Sequence, residues 1–157
     1  IGKYPVQSVK MMARIAREVE GKLPYGKMLA ERGEWLKPKT DELISYSACY
    51  TARSLGAVAI VAFTQSGSTA ARVSKYRPEV PILAITPDAE VAGRLILKWG
   101  VYPFQIERAS SVDELFAAAS RLSRELGLAK SGDLIVITGG IPIGVAGSTN
   151  LLKVERV

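Results

Sequence analysis

The residues best equipped for chemistry in this 157-residue chain are Thr64-Gln65-Ser66-Gly67-Ser68-Thr69. They follow an apolar, β-branched run, Ala57 to Phe63, and precede a stretch with helical patterning from Ala70. A strand that turns through small residues into a helix start aims unpaired backbone N–H groups at one point. The hydroxyls of Thr64, Ser66, Ser68 and Thr69 add donors, and Gly67 can take backbone angles closed to other residues. Two readings follow. The segment cradles a phosphate, or its Ser and Thr residues merely cap the helix. It lacks the Gly-Lys pair of a nucleotide-triphosphate loop and the three glycines of a dinucleotide fingerprint. Its mechanics suit the terminal phosphate of a monoester. Arg72, Lys75 and Arg77 follow closely and either add positive field or form a solvated helix face.

The second unusual stretch runs from Gly139 to Asn150 and includes Gly140, Pro142, Gly144, Val145, Ala146, Gly147, Ser148 and Thr149. It reads either as a long turn before a final hairpin strand or as a mobile flap that closes on what the first loop holds.

Composition excludes most catalytic uses. The chain has no histidine, which removes His-based triads, metal sites and acid–base chemistry. Its single cysteine, Cys49, excludes an internal disulfide and a Cys-based zinc cluster, and sits where a small packed residue is expected. Asp41, Glu42, Asp88, Glu90, Asp113 and Glu114 fall at helix starts, where the helix dipole accounts for them, and no acid pair or metal cluster emerges. Lys and Arg number 21 against 15 Asp and Glu, a surplus that favours anionic ligands. The charges are dispersed and few aromatics accompany them, which argues against nucleic acid. With 48% hydrophobic and 23% charged residues the chain reads as one soluble globular domain. No window approaches the roughly 18 apolar residues of a membrane span. The absence of a signal peptide pattern and the single cysteine fit a reducing, cytoplasmic setting, and the start at Ile1 reads as that of a piece of something longer.

These residues need a frame to hold them. Pro5 opens a helix whose apolar face (Val6, Val9, Met12, Ala13, Ala16, Val19) runs to about Gly21. Residues 21–39, punctuated by Gly21, Pro24, Gly26, Gly33 and Pro38, read as a connector. From Thr40, taken as an N-cap, helix and strand alternate: strands at Ala57–Phe63, Pro81–Thr86, Val101–Ile106 and Asp133–Thr138, with helices between. Ser111-Val112-Asp113-Glu114 is a capping box. Pro103 places its strand near an edge. The last strand, Leu151 to Val157, has no helix before it and is expected to run antiparallel. The fold class is therefore α/β, a three-layer sandwich on a mainly parallel five-stranded sheet. In such sheets ligands sit at the carboxyl ends of strands, where both unusual loops begin.

Several stretches resemble bacterial pyruvate kinase: Ile1-Gly2-Lys3-Tyr4-Pro5-Val6, Lys10 to Glu20, Thr64 through Pro78 followed by Pro81 to Thr86, and Gly144 to Asn150. The match runs end to end with natural spacings. The resemblance implies that residues 1–20 are the last helix of a catalytic barrel, 21–39 a connector, and 40–157 the C-terminal regulatory domain. It implies a parent enzyme that moves phosphate from phosphoenolpyruvate to ADP with magnesium and potassium, whose catalytic groups and cofactors lie outside this chain. It further implies a tetramer, and an allosteric effector whose phosphate is held at Thr64, Gln65, Ser66, Gly67, Ser68 and Thr69, with Gly144–Thr149 as the flap. Relatives that bind fructose 1,6-bisphosphate often carry a Trp and an Arg on an insertion before the last long helix. Here Ile106-Glu107-Arg108-Ala109-Ser110-Ser111 passes straight into that helix, with Arg108 the nearest cation. A monophosphate effector, a sugar monophosphate or AMP, is therefore favoured. The rivals are a freestanding sugar-phosphate or nucleotide-binding protein of the same fold and a nucleic-acid-binding module.

Overall fold

A computed structural model of the chain describes residues 2–145 and 147–157. The elements run α1 (Pro5–Glu20), α2 (Tyr25–Gly33), α3 (Thr40–Leu55), β1 (Ala59–Phe63), α4 (Ser68–Lys75), β2 (Ile82–Thr86), α5 (Ala89–Leu95), β3 (Val101–Gln105), α6 (Val112–Glu125), β4 (Leu134–Gly140) and β5 (Thr149–Arg156). The strands form one sheet in the order β3-β2-β1-β4-β5. β3, β2, β1 and β4 are parallel, and β5 pairs antiparallel with β4, from Leu134↔Arg156 to Gly140↔Thr149. The expected α/β class and the antiparallel last strand both hold. β3 is an edge strand, where Pro103 costs no interior ladder bond.

The three central strands are buried on both faces because their side chains alternate between two cores. Ile60, Ala62, Ile82, Ala84 and Val136 face a cluster completed by Ala48 and Ala52 of α3, Val73 of α4, and Val91 and Leu95 of α5. Ala59, Val61, Phe63, Leu83, Ile85, Ile135 and Ile137 face the other way, onto Ala119 and Leu122 of α6. This is the three-layer arrangement. The row Ile82–Ile60–Val136 lies in register across the three central strands, so one slip would misplace both cores at once.

Some boundaries differ from the sequence reading. Residues 21–39 are not all connector: Tyr25–Gly33 is a helix, with Pro24 at its N-cap and Leu29 buried against α3. Lys39, not Thr40, is the N-cap of α3; its backbone is extended and Thr40 is already helical. Gly139, Gly140, Thr149 and Asn150, read as loop, belong to β4 and β5, which shortens the connection between them. The capping box of α6 is shifted by one residue. Ser111 Oγ accepts from the Glu114 amide at 3.2 Å, but the Glu114 carboxylate reaches back to the Ser110 amide and hydroxyl at 2.7 and 2.8 Å. Ser110 offers two donors there, and they hold the Glu114 carboxyl below its ordinary range.

Helix α1 buries none of its residues. Val9 and Met12 are 65% and 69% exposed, so its apolar face has no partner among the described residues.

Candidate functional site

With the order β3-β2-β1-β4-β5, the chain leaves β1 toward β2 on one side, while β4 lies on the other. That is a topological switch point, where loops leaving neighbouring carboxyl ends diverge and open a crevice. A cavity of about 60 Å³ occupies it. Its walls come from four strand ends: Phe63 to Thr69 after β1, Ile85 to Pro87 after β2, Ile106 to Ala109 after β3, and Gly140 to Thr149 between β4 and β5.

Of the residues singled out from sequence, Thr64, Gln65, Ser68 and Thr69 line this cavity, as do Gly144, Val145, Gly147, Ser148 and Thr149. The two loops meet over one space. Ser66 and Gly67 do not line it. They sit on the opposite side of the turn, in a shallower depression with Arg94 and Lys98. Ala146, the remaining flap residue, lies outside the described residues.

Local chemistry explains the shape of the first loop. Gly67 has φ +86°, a left-handed conformation that glycine adopts without strain, and it forms the N-cap of α4. No side chain caps this helix. Ser66 Oγ instead donates to Ser68 Oγ at 3.2 Å. The first-turn amides of α4 therefore keep their unpaired donors and the positive end of the helix dipole. Thr64, only 7% exposed, has a hydroxyl on the cavity wall with no hydrogen-bond partner among the described residues. A buried hydroxyl in that state costs stability, which marks it as a group waiting for an acceptor.

The second loop is braced at its base and tied to the first. Asn150 Oδ1 accepts from the Ile141 amide at 2.9 Å while its Nδ2 donates to the Ile141 carbonyl at 2.7 Å. Ser148 Oγ donates to the Val145 carbonyl at 2.8 Å. Thr69 Oγ1 and Thr149 Oγ1 share a hydrogen bond of 2.7 Å in the buried floor, linking α4 to the start of β5. Gly144 lies flush against the Arg108 guanidinium, and a Cβ there would collide with its Nη2. Arg108 thus reaches over the cavity with no acidic partner among the described residues.

The cations that follow the first loop point elsewhere. Arg72 Nη2 pairs with Asp41 Oδ2 at 2.7 Å and Lys75 Nζ with Glu42 Oε2 at 2.7 Å. The Tyr76 hydroxyl donates to the same Glu42 oxygen at 2.6 Å. Arg77 lies over the Trp99 ring, 4.4 Å from its centroid. None of them lines the cavity. Arg72, Lys75 and Tyr76 together pin α4 to the start of α3, which fixes where its N-terminus points. Hydrogen bonds from Lys75 and Tyr76 hold the Glu42 carboxyl below its ordinary value. Burial, then the Glu42 carboxylate, pushes the Tyr76 phenol well above its ordinary range. Burial alone pushes the Cys49 thiol up to about 12, so it is no nucleophile.

Sequence reasoning missed the contributions of the β2 and β3 ends, Ile85, Thr86, Pro87, Ile106 and Glu107, and those of Phe63 in β1 and Leu115 in α6. Thr86-Pro87-Asp88 carried a signal, but it was that of a helix cap. Asp88 does cap α5, accepting from the Glu90 and Val91 amides at 2.8 and 3.1 Å.

The family model described as "Pyruvate kinase, alpha/beta domain" matches residues 42–155. The chain belongs to this family. It is 44% identical over 156 residues to the pyruvate kinase of Clostridium acetobutylicum, a match that covers 99% of this chain and 33% of that protein. Pyruvate kinases of Geobacillus stearothermophilus and Staphylococcus saprophyticus are 42% and 40% identical over 99% of the chain and 27% of their own lengths. The chain thus spans a third or less of the relatives it matches. The switch-point cavity lies wholly inside the matched segment.

Proposed function

We propose that this chain is the effector-binding regulatory domain of a cytoplasmic pyruvate kinase. Residues 40–157 form the domain, residues 21–39 join it to the rest, and residues 1–20 are the last helix of the catalytic barrel. The exposed apolar face of α1 supports that last assignment, because such a face needs a partner. The parent enzyme transfers phosphate from phosphoenolpyruvate to ADP with magnesium and potassium, and assembles as a tetramer. Among the described residues, no three His, Cys, Asp or Glu side chains gather to hold a metal ion, so no metal step is assigned to this chain. Its own residues bind and transmit.

One observation carries the reading: the uncapped start of α4 and the unpartnered Thr64 hydroxyl face the same cavity as the Gly144–Thr149 flap. In that cavity a phosphate accepts from the first-turn amides and the hydroxyls of Thr64, Ser68 and Thr69. The flap covers the rest of the effector. A monophosphate, a sugar monophosphate or AMP, is favoured over fructose 1,6-bisphosphate, since the loop before α6 brings a single cation, Arg108, and no Trp. The Thr69–Thr149 bond gives the loop a direct route to β5, at the sheet edge. Ligand binding then biases two states of the parent assembly by its differential affinity for them.

A thermal-shift screen of phosphorylated metabolites on this chain tests the proposal. A bound effector at about a hundred times its Kd adds roughly 2.7 kcal/mol. Ser68→Glu places a carboxylate on the cavity wall, where it competes with the phosphate while suiting the helix dipole. The variant is expected to stay folded and lose the ligand-induced shift. An equal shift in wild type and variant would place the binding elsewhere.

A further inference from the structure

The walls of the switch-point cavity hold hydroxyl protons in surplus. Thr64 Oγ1 has no partner among the described residues. Thr86, fully buried, accepts from the Asp88 amide at 3.3 Å, and among the described residues nothing accepts its own proton. Thr69 and Thr149 share a single hydrogen bond of 2.7 Å, so only one of their two protons lies between them. The first-turn amides of α4 can only donate. The cavity therefore offers free donors on three sides, and an occupant rich in acceptors satisfies the most of them.

The protein's own titration is nearly silent there. Among the described residues, Glu107 and Arg108, both exposed and both on the loop between β3 and α6, are the only ionisable side chains on the wall. Strand ends β1, β2 and β4, helix α4 and the described flap residues contribute none. The chain has no histidine to change charge near neutrality.

We infer that the cavity takes a phosphomonoester in its dianionic form and rejects the monoanion, so that the ligand's own ionisation sets the pH dependence of binding. This rests on the phosphate reading above and adds the charge state. The three terminal oxygens of the dianion are all acceptors. Protonating one of them removes an acceptor and adds a donor to a wall that already has too many. It also lowers the charge held by the α4 dipole and by Arg108. Thr86 joins Thr64, and the one of Thr69 and Thr149 whose proton is free, as a donor to the oxyanion.

The test is calorimetric titration of the chain with glucose 6-phosphate and with AMP, at about pH 7.5 and about pH 5, either side of a phosphomonoester's second pKa of about 6. Whichever binds is expected to bind roughly tenfold more weakly at the lower pH, following the dianion fraction. Glucose 6-sulfate, with the same three oxygens but one charge and no proton, should bind at least about tenfold more weakly than glucose 6-phosphate near neutrality, with no pH dependence. Glu107→Gln should keep the wild-type pH profile. A phosphate ester that binds equally at both pH values would overturn the inference and leave the phosphate reading standing. So would a profile that vanishes in Glu107→Gln. If neither phosphate ester binds at either pH, the phosphate reading and the inference fall together.

Discussion

Replacing Thr64 by valine is expected to stabilise the unliganded fold and weaken phosphate binding at the same time. The two side chains have nearly the same shape, so the β1 end should repack with little strain. The hydroxyl that disappears is buried and has no partner among the described residues. Removing it relieves a desolvation cost of about 1–3 kcal/mol, part of which the unfolded chain never carried. We expect a gain of about 1 kcal/mol, or roughly 2–4 °C in Tm for a chain of this size. The same hydroxyl, once donating to a phosphate oxygen, is a charge-assisted bond of about 1.5–3 kcal/mol, so affinity should fall about 10- to 100-fold. Denaturant unfolding without ligand and calorimetry with it read the two effects separately. A residue present for packing alone would lose stability on this change. Opposite signs are the signature of a group kept for binding.

The second large effect belongs to the other end of α4. Glu42 accepts from both Lys75 and the Tyr76 hydroxyl, and Tyr76 is almost wholly buried. Glu42→Ala leaves that phenol with no acceptor at 2.6 Å and frees Lys75, at an expected cost of about 2–3 kcal/mol. Tyr76→Phe in the Glu42→Ala background should recover part of the loss, since no donor is then stranded. The pH dependence has a definite sign. The folded-state carboxyl of Glu42 titrates below its ordinary value of 4.5. Its contribution is therefore complete above that value and is lost as pH falls through the lower, folded one. The stability gap between wild type and Glu42→Ala should be flat near neutrality and narrow on acidification. A gap that widened with acid would show that Glu42 is not the ionised acceptor seen here. Since this cluster aims α4, its loss should also loosen effector binding, although no member touches the cavity.

How much of this the bare sequence could carry depends on what kind of fact it was. The central strands were legible because runs such as Ala57 to Phe63 are apolar at nearly every position, as parallel strands covered on both faces are. The helix ends marked by Asp88, Ser111 and Gly56 were legible within a residue, because capping is local chemistry, whereas α4 begins two residues before the helical patterning at Ala70. Helix α2 was missed because Gly21, Pro24, Gly26 and Gly33 look like punctuation. Yet Pro24 and Gly33 stand at its two ends, and only Leu29 is buried to betray an inward face. The site was half legible. Spacing marked the loop and the flap, and the strand alternation put both on one rim. Direction was not in the pattern: Arg72 and Lys75 turn to α3 because Asp41 and Glu42 lie there, a partnership across 31 and 33 residues that no local rule announces. Nor was strand order, and so the walls given by Thr86 and Ile106 could not be foreseen. Ser66 and Gly67 share a six-residue turn with Thr64 but sit on its other side, because a turn tight enough to start a helix has two faces.

The central claim is that the start of α4 and the flap between β4 and β5 hold one phosphate. The most direct measurement is a ¹H–¹⁵N correlation spectrum of the chain titrated with AMP and with glucose 6-phosphate. At least one of the two is expected to cause saturable shifts of the Ser68, Thr69 and Ala70 amides together with those of Gly147 to Thr149, with downfield movement at the α4 amides as they take a charged acceptor. Saturable shifts confined to another part of the chain, or none with either compound at millimolar concentration, would contradict it.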